Sequence, residues 1–373
     1  MVLGHVVRVC GLASIWLVGS ARPCTGQLFS VDPQPVRTIE GTTREGVPVF
    51  GVVIGATRLR DGTIVVADRS ANALKFFAGS GEPAMTVGRE GEGPGEFELL
   101  AGVAQCLQDS LFAFDASHRI SVFSTSGRFV RRFAVPGSPG SGPVVCSRAG
   151  TLGLAQRRVG AQPSEGGTRL PLTWSLLVAD AGGHVTQEYG EVQVGEVAVS
   201  AGHSPLPLLG GSLPRIAVTR RRLVLCPIDP GAIGAYSLAG GRLPPIPLRA
   251  SPRAPSRQDL ERAADELVAR LPRAVRETMR QRLLRVPPPA HLPPCSDILA
   301  DPDDNVWVVL SFPGDSVTTL RVFGPDDRML GDVSIPAALH IREIGSDYLL
   351  ASGETPEGEP WVRMYRLRRS RAR

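Results

Sequence analysis

The chain has 373 residues, enough for one large domain or two ordinary ones, and carries a formal net charge of +5 from 41 Lys and Arg against 36 Asp and Glu. That surplus does not describe a nucleic-acid surface: Lys75 is the single lysine, the arginines are scattered in small groups such as Arg131–Arg132 and Arg220–Arg222, and aromatic residues make up 5%. Phosphate binding wants a concentrated basic stripe interleaved with aromatics, so nucleic acid is excluded as a partner, and the 42 glycines and 33 prolines point instead to many tight turns.

Residues 1–26 read as a signal peptide. His5 and Arg8 precede an apolar run from Val9 to Gly19, and small residues follow at Gly19–Ala21 and Thr25–Gly26. The run is shorter than the ~20 residues a bilayer-spanning helix needs, and no later segment qualifies as one. Cys24 follows Arg22 and Pro23, where a lipidated cysteine wants small residues, so a lipid anchor is not expected. Export to the periplasm or beyond the cell follows.

From there one pattern repeats. In Val65–Gly95, VVAD leads through Asn72 to a strand at Phe76–Phe77 and then to VGREGEGPGEF (Val87–Phe97); Ala113–Phe133 runs through a thinner copy. Six such units align, centred on Leu59–Asp68, Leu107–Asp115, Ser147–Ala155, Thr219–Cys226, Asp301–Leu310 and Ile344–Ala351. Each has a polar turn feeding a run of β-branched, Leu or aromatic residues, which is hairpin chemistry. Short antiparallel strands recurring about every 40–47 residues mark a stack of small sheets. The expected fold is all-β, a six-bladed β-propeller over residues 30–368. Pro35–Gly41 has no partner nearby and is expected to close the ring as the outermost strand of the last blade, with the tail from Arg368 to Arg373 frayed.

One segment departs from this period. In Ser256–Val286, Ser256 with Asp259 resembles a capping box, and Leu260, Ala264, Leu267 and Leu271 recur at helical spacing. Pro272 should open a second helix carrying Val275, Met279 and Leu283. An inserted helical hairpin over one face of the ring is predicted.

Val66–Phe97 resembles the NHL-type repeat, in which a strand ends in Asp, an Asn follows, and a GxGPGxF connection enters the next blade. Leu320–Pro336 with Ile344–Gly353 is similar to the last blades of uncharacterised secreted six-bladed propellers from bacteria. The resemblance implies the fold and says little of function. Read on their own, Asp68 and Asp115 should accept backbone N–H groups of the turns they precede. Gly91, Gly93 and Gly95 should let the crossover bend, and Phe97 should anchor it between sheets. The second repeat carries His118 where the first has Asn72.

Four cysteines, Cys106, Cys146, Cys226 and Cys295, follow the leader into an oxidising compartment, with no CxxC pair to suggest zinc. Cys106 and Cys146 fall on innermost strands of adjacent blades, and a disulfide between them stands beside the alternative of four buried thiols.

No catalytic signature is visible. GHSPL (Gly202–Leu206) falls short of a nucleophile elbow, and His118, His184, His203, His291 and His340 lie too far apart for a linear metal motif. Propeller lactonases and streptogramin lyases assemble sites from single residues of several blades, which leaves a lactonase- or lyase-like enzyme at the central channel as the alternative function. The innermost strands should point Thr57, Gln105, Arg215, Asp297, His340 and Arg342 towards the axis. One carboxylate with two arginines suits an anionic or polar ligand better than a hard cation, so neither metal nor cofactor is expected. The sequence reads as an exported, monomeric, non-catalytic binding or scaffold module. Its expected partner is a protein, peptide or glycan of the cell envelope, held by loops on one face.

Overall fold

Ile64–Asp68 is buried at every position, which a strand with one wet face would not be. Its side chains divide by the two-residue period of a strand. Val65 and Ala67 pack with Leu74, Phe97 and Leu111, while Ile64 and Val66 pack with Phe50, Tyr348 and Leu350. Such a sheet needs a neighbour on each side, and the whole molecule is built on that demand.

The computed structural model describes residues 28–43, 46–136, 142–157, 168–199, 206–209, 215–226, 231–269, 271–312 and 314–370. The expected leader, Cys24 and His203 lie outside them. Six antiparallel sheets follow one another in chain order, each beginning at an inner strand. Blade 1 holds Val53–Arg58, Ile64–Asp68, Ala73–Phe77 and Pro83–Val87. Blade 2 holds Leu100–Leu107, Ser110–Asp115, Arg119–Ser124 and Phe129–Ala134. Blade 3 has five strands: Val144–Cys146, Leu152–Arg157, Thr168–Ala179, Val185–Val199 and Leu206–Pro207. Blade 4 is small, with Ile216–Val218, Arg222–Leu225, Ala232–Ser237 and Ile246–Pro247. Blade 5 holds Cys295–Ala300, Val306–Leu310, Val317–Phe323 and Met329–Pro336. Blade 6 takes His340–Ile344, Tyr348–Glu354 and Pro360–Arg369 from the back of the chain and Phe29–Glu40 from the front. The fold is the six-bladed β-propeller that the repeats predict.

The closing strand is longer than the expected Pro35–Gly41. Phe29 lies opposite Arg369 and Glu40 opposite Trp361, and Arg368 grips Asp32 through two bonds of 2.8 and 2.9 Å. Arg368 and Arg369 are therefore held in the sheet, where the composition suggested fraying.

Six apolar clusters fill the six seams between blades, for instance Trp307, Leu320 and Val333 of blade 5 against Leu349, Trp361 and Tyr365 of blade 6. Polar caps tie the turns to them. Asp68 Oδ1 accepts from the Ser70 N–H and hydroxyl at 3.1 and 2.6 Å and from the Val52 N–H at 3.1 Å. Asp115 does the same with Ser117 and the Glu98 N–H. Asn72 adopts a left-handed backbone (φ 45°) and its Oδ1 accepts the Leu100 N–H of blade 2 at 2.9 Å. His118 stands in the same conformation one blade on (φ 63°), and its Nδ1 donates to the Pro136 carbonyl at 3.1 Å. A change of residue has kept the backbone geometry and moved the partner.

Two disulfides staple neighbouring blades. Cys106–Cys146 joins blades 2 and 3 with Cα atoms 5.5 Å apart, and Cys226–Cys295 joins blades 4 and 5 at 5.8 Å. The connection from blade 4 to blade 5, residues 248–294, carries the helices α1 (Arg257–Ala269) and α2 (Arg273–Leu284). Ser256 Oγ accepts the Asp259 N–H at 3.1 Å and Asp259 Oδ2 accepts the Ser256 N–H at 2.9 Å, a reciprocal cap. Pro272 stands just before α2 with ψ 140°, outside the helix it was expected to open. Ala264, Val268 and Leu283 bury themselves against Leu209, in the connection from blade 3 to blade 4.

Phe76 is fully buried in the seam between blades 1 and 2. Phe76→Ala is expected to cost about 3–5 kcal/mol, read from the urea midpoint; a loss under about 1 kcal/mol would contradict the seam packing. The bridges close chain separations of 40 and 69 residues. On chain entropy each contributes roughly 4 kcal/mol, so a reductant should lower the midpoint, and an unchanged one counts against both bridges.

Candidate functional site

Because the chain enters every blade at its inner strand, all six inner strands run the same way, from an upper face to a lower one. The helical hairpin belongs to the upper face. The channel between the inner strands has a different polar group at each end.

Near the upper mouth, Asp297 of blade 5 faces Arg215 at the start of blade 4 and His340 and Arg342 of blade 6, all close enough to act on its charge. Its Oδ1 accepts the Ile298 N–H at 2.9 Å. Burial pushes the Asp297 carboxyl above the usual 3.8, and the Arg215 guanidinium, the Ile298 N–H, Arg342 and His340 pull it down less strongly. Burial likewise lowers the Arg342 guanidinium, against the raising effect of Asp297. Arg342 is held by the Val53 carbonyl at 2.9 Å and the Ser352 hydroxyl at 2.8 Å. Arg215 is exposed and makes no ion pair among the described residues.

Thr57 and Gln105 do not join that group. They lie at the lower end with Glu343, which accepts four bonds: Thr57 Oγ1 and Arg148 Nη2 on Oε1 at 3.0 and 2.6 Å, and the Arg58 N–H and Tyr348 hydroxyl on Oε2 at 2.8 and 2.9 Å. Arg148 Nη1 also donates to Gln105 Oε1 at 2.9 Å. Blade 3 stands opposite blade 6 in a ring of six, so the Arg148–Glu343 pair crosses the axis. Burial, then the charge of Glu343, pushes the Tyr348 phenol up, which keeps it a neutral donor.

Glu343 corrects the expectation of a single channel carboxylate. The pairing of the inner strand of blade 6 with its neighbour shifts register between Ile341 and Glu343. Arg342 is the extra residue, so strict alternation fails and both side chains reach polar partners on the axial side. Arg148 was missed because it sits in a turn. Among the described residues no three His, Cys, Asp or Glu side chains gather as a metal site, and no helix is long and apolar enough to cross a membrane.

No protein-family model matches the chain. No curated protein matches it either. Solved structures of propellers do. A candidate exported protein of Bacteroides fragilis is 12% identical over 92% of this chain and 96% of its own, with a TM-score of 0.46. A luciferin-regenerating enzyme is 11% identical over 90% and 95%, with a TM-score of 0.45. A streptogramin B lyase is 12% identical over 90% and 98%, with a TM-score of 0.39.

A carboxyl whose folded value lies above its unfolded one keeps a proton the unfolded chain has lost, so folding weakens as pH rises through that window. Asp297→Asn should therefore match the wild type below about pH 3.8 and gain stability progressively above it. Urea titrations at stepped pH check this; a variant less stable than wild type at pH 7.5 refutes it.

Proposed function

We propose that the protein is an exported binding module whose upper face takes an acidic partner, a peptide or glycan bearing carboxylates. The observation that carries this reading is the difference between the two faces. Lower turns between the first two strands of each blade are brief, such as 59–63 and 108–109, whereas the upper face bears the connection 248–294 with α1 and α2. Loops raised on a rigid scaffold are where partners are met. At the upper mouth Arg215, His340 and Arg342 surround the half-buried Asp297, whose carboxyl is pushed above its usual value. When Asp297 holds its proton, the mouth is cationic and has hydrogen-bond donors to spare.

Titration calorimetry with an oligogalacturonate and an oligoglutamate, each beside a neutral analogue, tests this. Binding should favour the acidic member, tighten as pH falls through the Asp297 value, and weaken about tenfold or more in Arg215→Ala. Equal affinity for the neutral analogues sinks the reading. The alternative, lactonase- or lyase-like chemistry, draws support from Asp297, whose carboxyl burial raises, with His340 close enough to act on its charge, since a perturbed carboxyl near a second titratable group is what acid–base work needs. Lactone turnover abolished by Asp297→Asn would favour it.

A further inference from the structure

The lower mouth holds a hollow of about 100 Å³ lined by Arg60, Gln105, Leu107, Gln108 and Arg148. Arg60, Gln108 and Arg148 come from the first turns of blades 1, 2 and 3, and Gln105 and Leu107 from the end of the inner strand of blade 2, so three adjoining blades meet there. The volume exceeds what a single water fills. Its lining is rich in hydrogen-bond donors. Gln105 Nε2 donates to the Gln108 carbonyl at 2.6 Å, which fixes the amide with Oε1 towards Arg148. Those two acceptors are thereby engaged, and Gln108 adds its own side-chain amide, an acceptor as well as a donor, to the lining. The donors that remain are a second N–H on Gln105, and guanidinium N–H groups on Arg148 beyond the three contacts it makes with Gln105, Glu343 and Tyr348.

The charges are unequal as well. Arg148 is matched by Glu343 at 2.6 Å, and Arg58 stands over the Tyr348 ring within 3.6 Å of Asp347. Arg60 is exposed and has no ion pair among the described residues. Asp61, in the same turn, is occupied by the Thr63 N–H at 2.9 Å. Neither it nor Asp109 lines the hollow. Two guanidinium groups, one of them without an ion pair among the described residues, therefore line the same recess.

We propose that this recess is a binding site for a small oxyanion of phosphate size, held between Arg60 of blade 1 and Arg148 of blade 3 with Gln105 at its back. Two guanidinium groups approaching from different blades suit a tetrahedral anion, whose oxygens point several ways at once. The site is at the opposite end of the channel from Arg215 and does not rest on the reading of the upper face.

Inorganic phosphate is the probe. At matched ionic strength it should raise the melting temperature above that in chloride and give a saturable isotherm by calorimetry. Arg60→Ala, at an exposed position, should leave the fold intact and weaken phosphate at least about tenfold. Arg215→Ala should leave phosphate binding unchanged. The proposal is overturned if chloride matches phosphate, if Arg60→Ala binds it as well as wild type does, or if Arg215→Ala removes the effect.

Discussion

A strand that is apolar on both faces can be satisfied only between two others, and that constraint organises everything else here. Ile64–Asp68 sends alternate side chains into two different seams. The same holds in blade 5, where Trp307 and Val309 face blade 6 while Val306 and Val308 face blade 4. No single blade buries its own surface. Each fully buried Leu, Val or Phe contributes roughly 1.5–3 kcal/mol of transfer free energy only when its neighbour is in place. Stability therefore belongs to the closed ring, and the strand Phe29–Glu40 is as much a part of the core as any blade interior.

Packing blades by their faces leaves their inner edges around an axis, where backbone and polar side chains collect. The two ends solve this differently. Glu343 is given four donors, which offsets the cost of withdrawing a carboxylate from water. Asp297 has a backbone N–H and nearby cations, yet burial prevails. The lower end is electrostatically settled apart from Arg60. The upper end is left unbalanced, on the face that also carries the largest elaboration of the fold. The first arrangement locks blades 1, 2, 3 and 6 together; the second holds charge in reserve.

Blades 1, 2 and 5 were legible because their strands are long enough for apolar alternation and their turns carry Asp and Gly. Blade 4 was faint for a physical reason: its inner strand is Ile216–Val218 and its outer strand is two residues, too short to show a period. The helices were read from Ser256–Asp259 and the leucine spacing, since capping and burial stripes are local. Long-range pairings were harder. Cys226 and Cys295 lie 69 residues apart and nothing local marks them as partners. Glu343 escaped because one extra residue in a strand reverses the inward and outward sense that follows. Arg148 escaped because turns have no periodicity to read. The candidate site was thus half visible: Arg215, Asp297, His340 and Arg342 do converge, while Thr57 and Gln105 answer to a carboxylate that alternation hid.

The antiparallel pairing of Phe29–Glu40 with Pro360–Arg369 has a mechanical corollary. Every other joint in the circle is spanned by continuous peptide, and two are also cross-linked through sulfur. Only this clasp is held by hydrogen bonds and side chains. Its two strands finish side by side at Phe29 and Arg369, so tension applied there would peel the ladder rung by rung instead of shearing it at once. Rupture should begin at that clasp, spilling blades 6 and 1 first while the sulfur-linked couples, 2 with 3 and 4 with 5, travel on as tethered pairs.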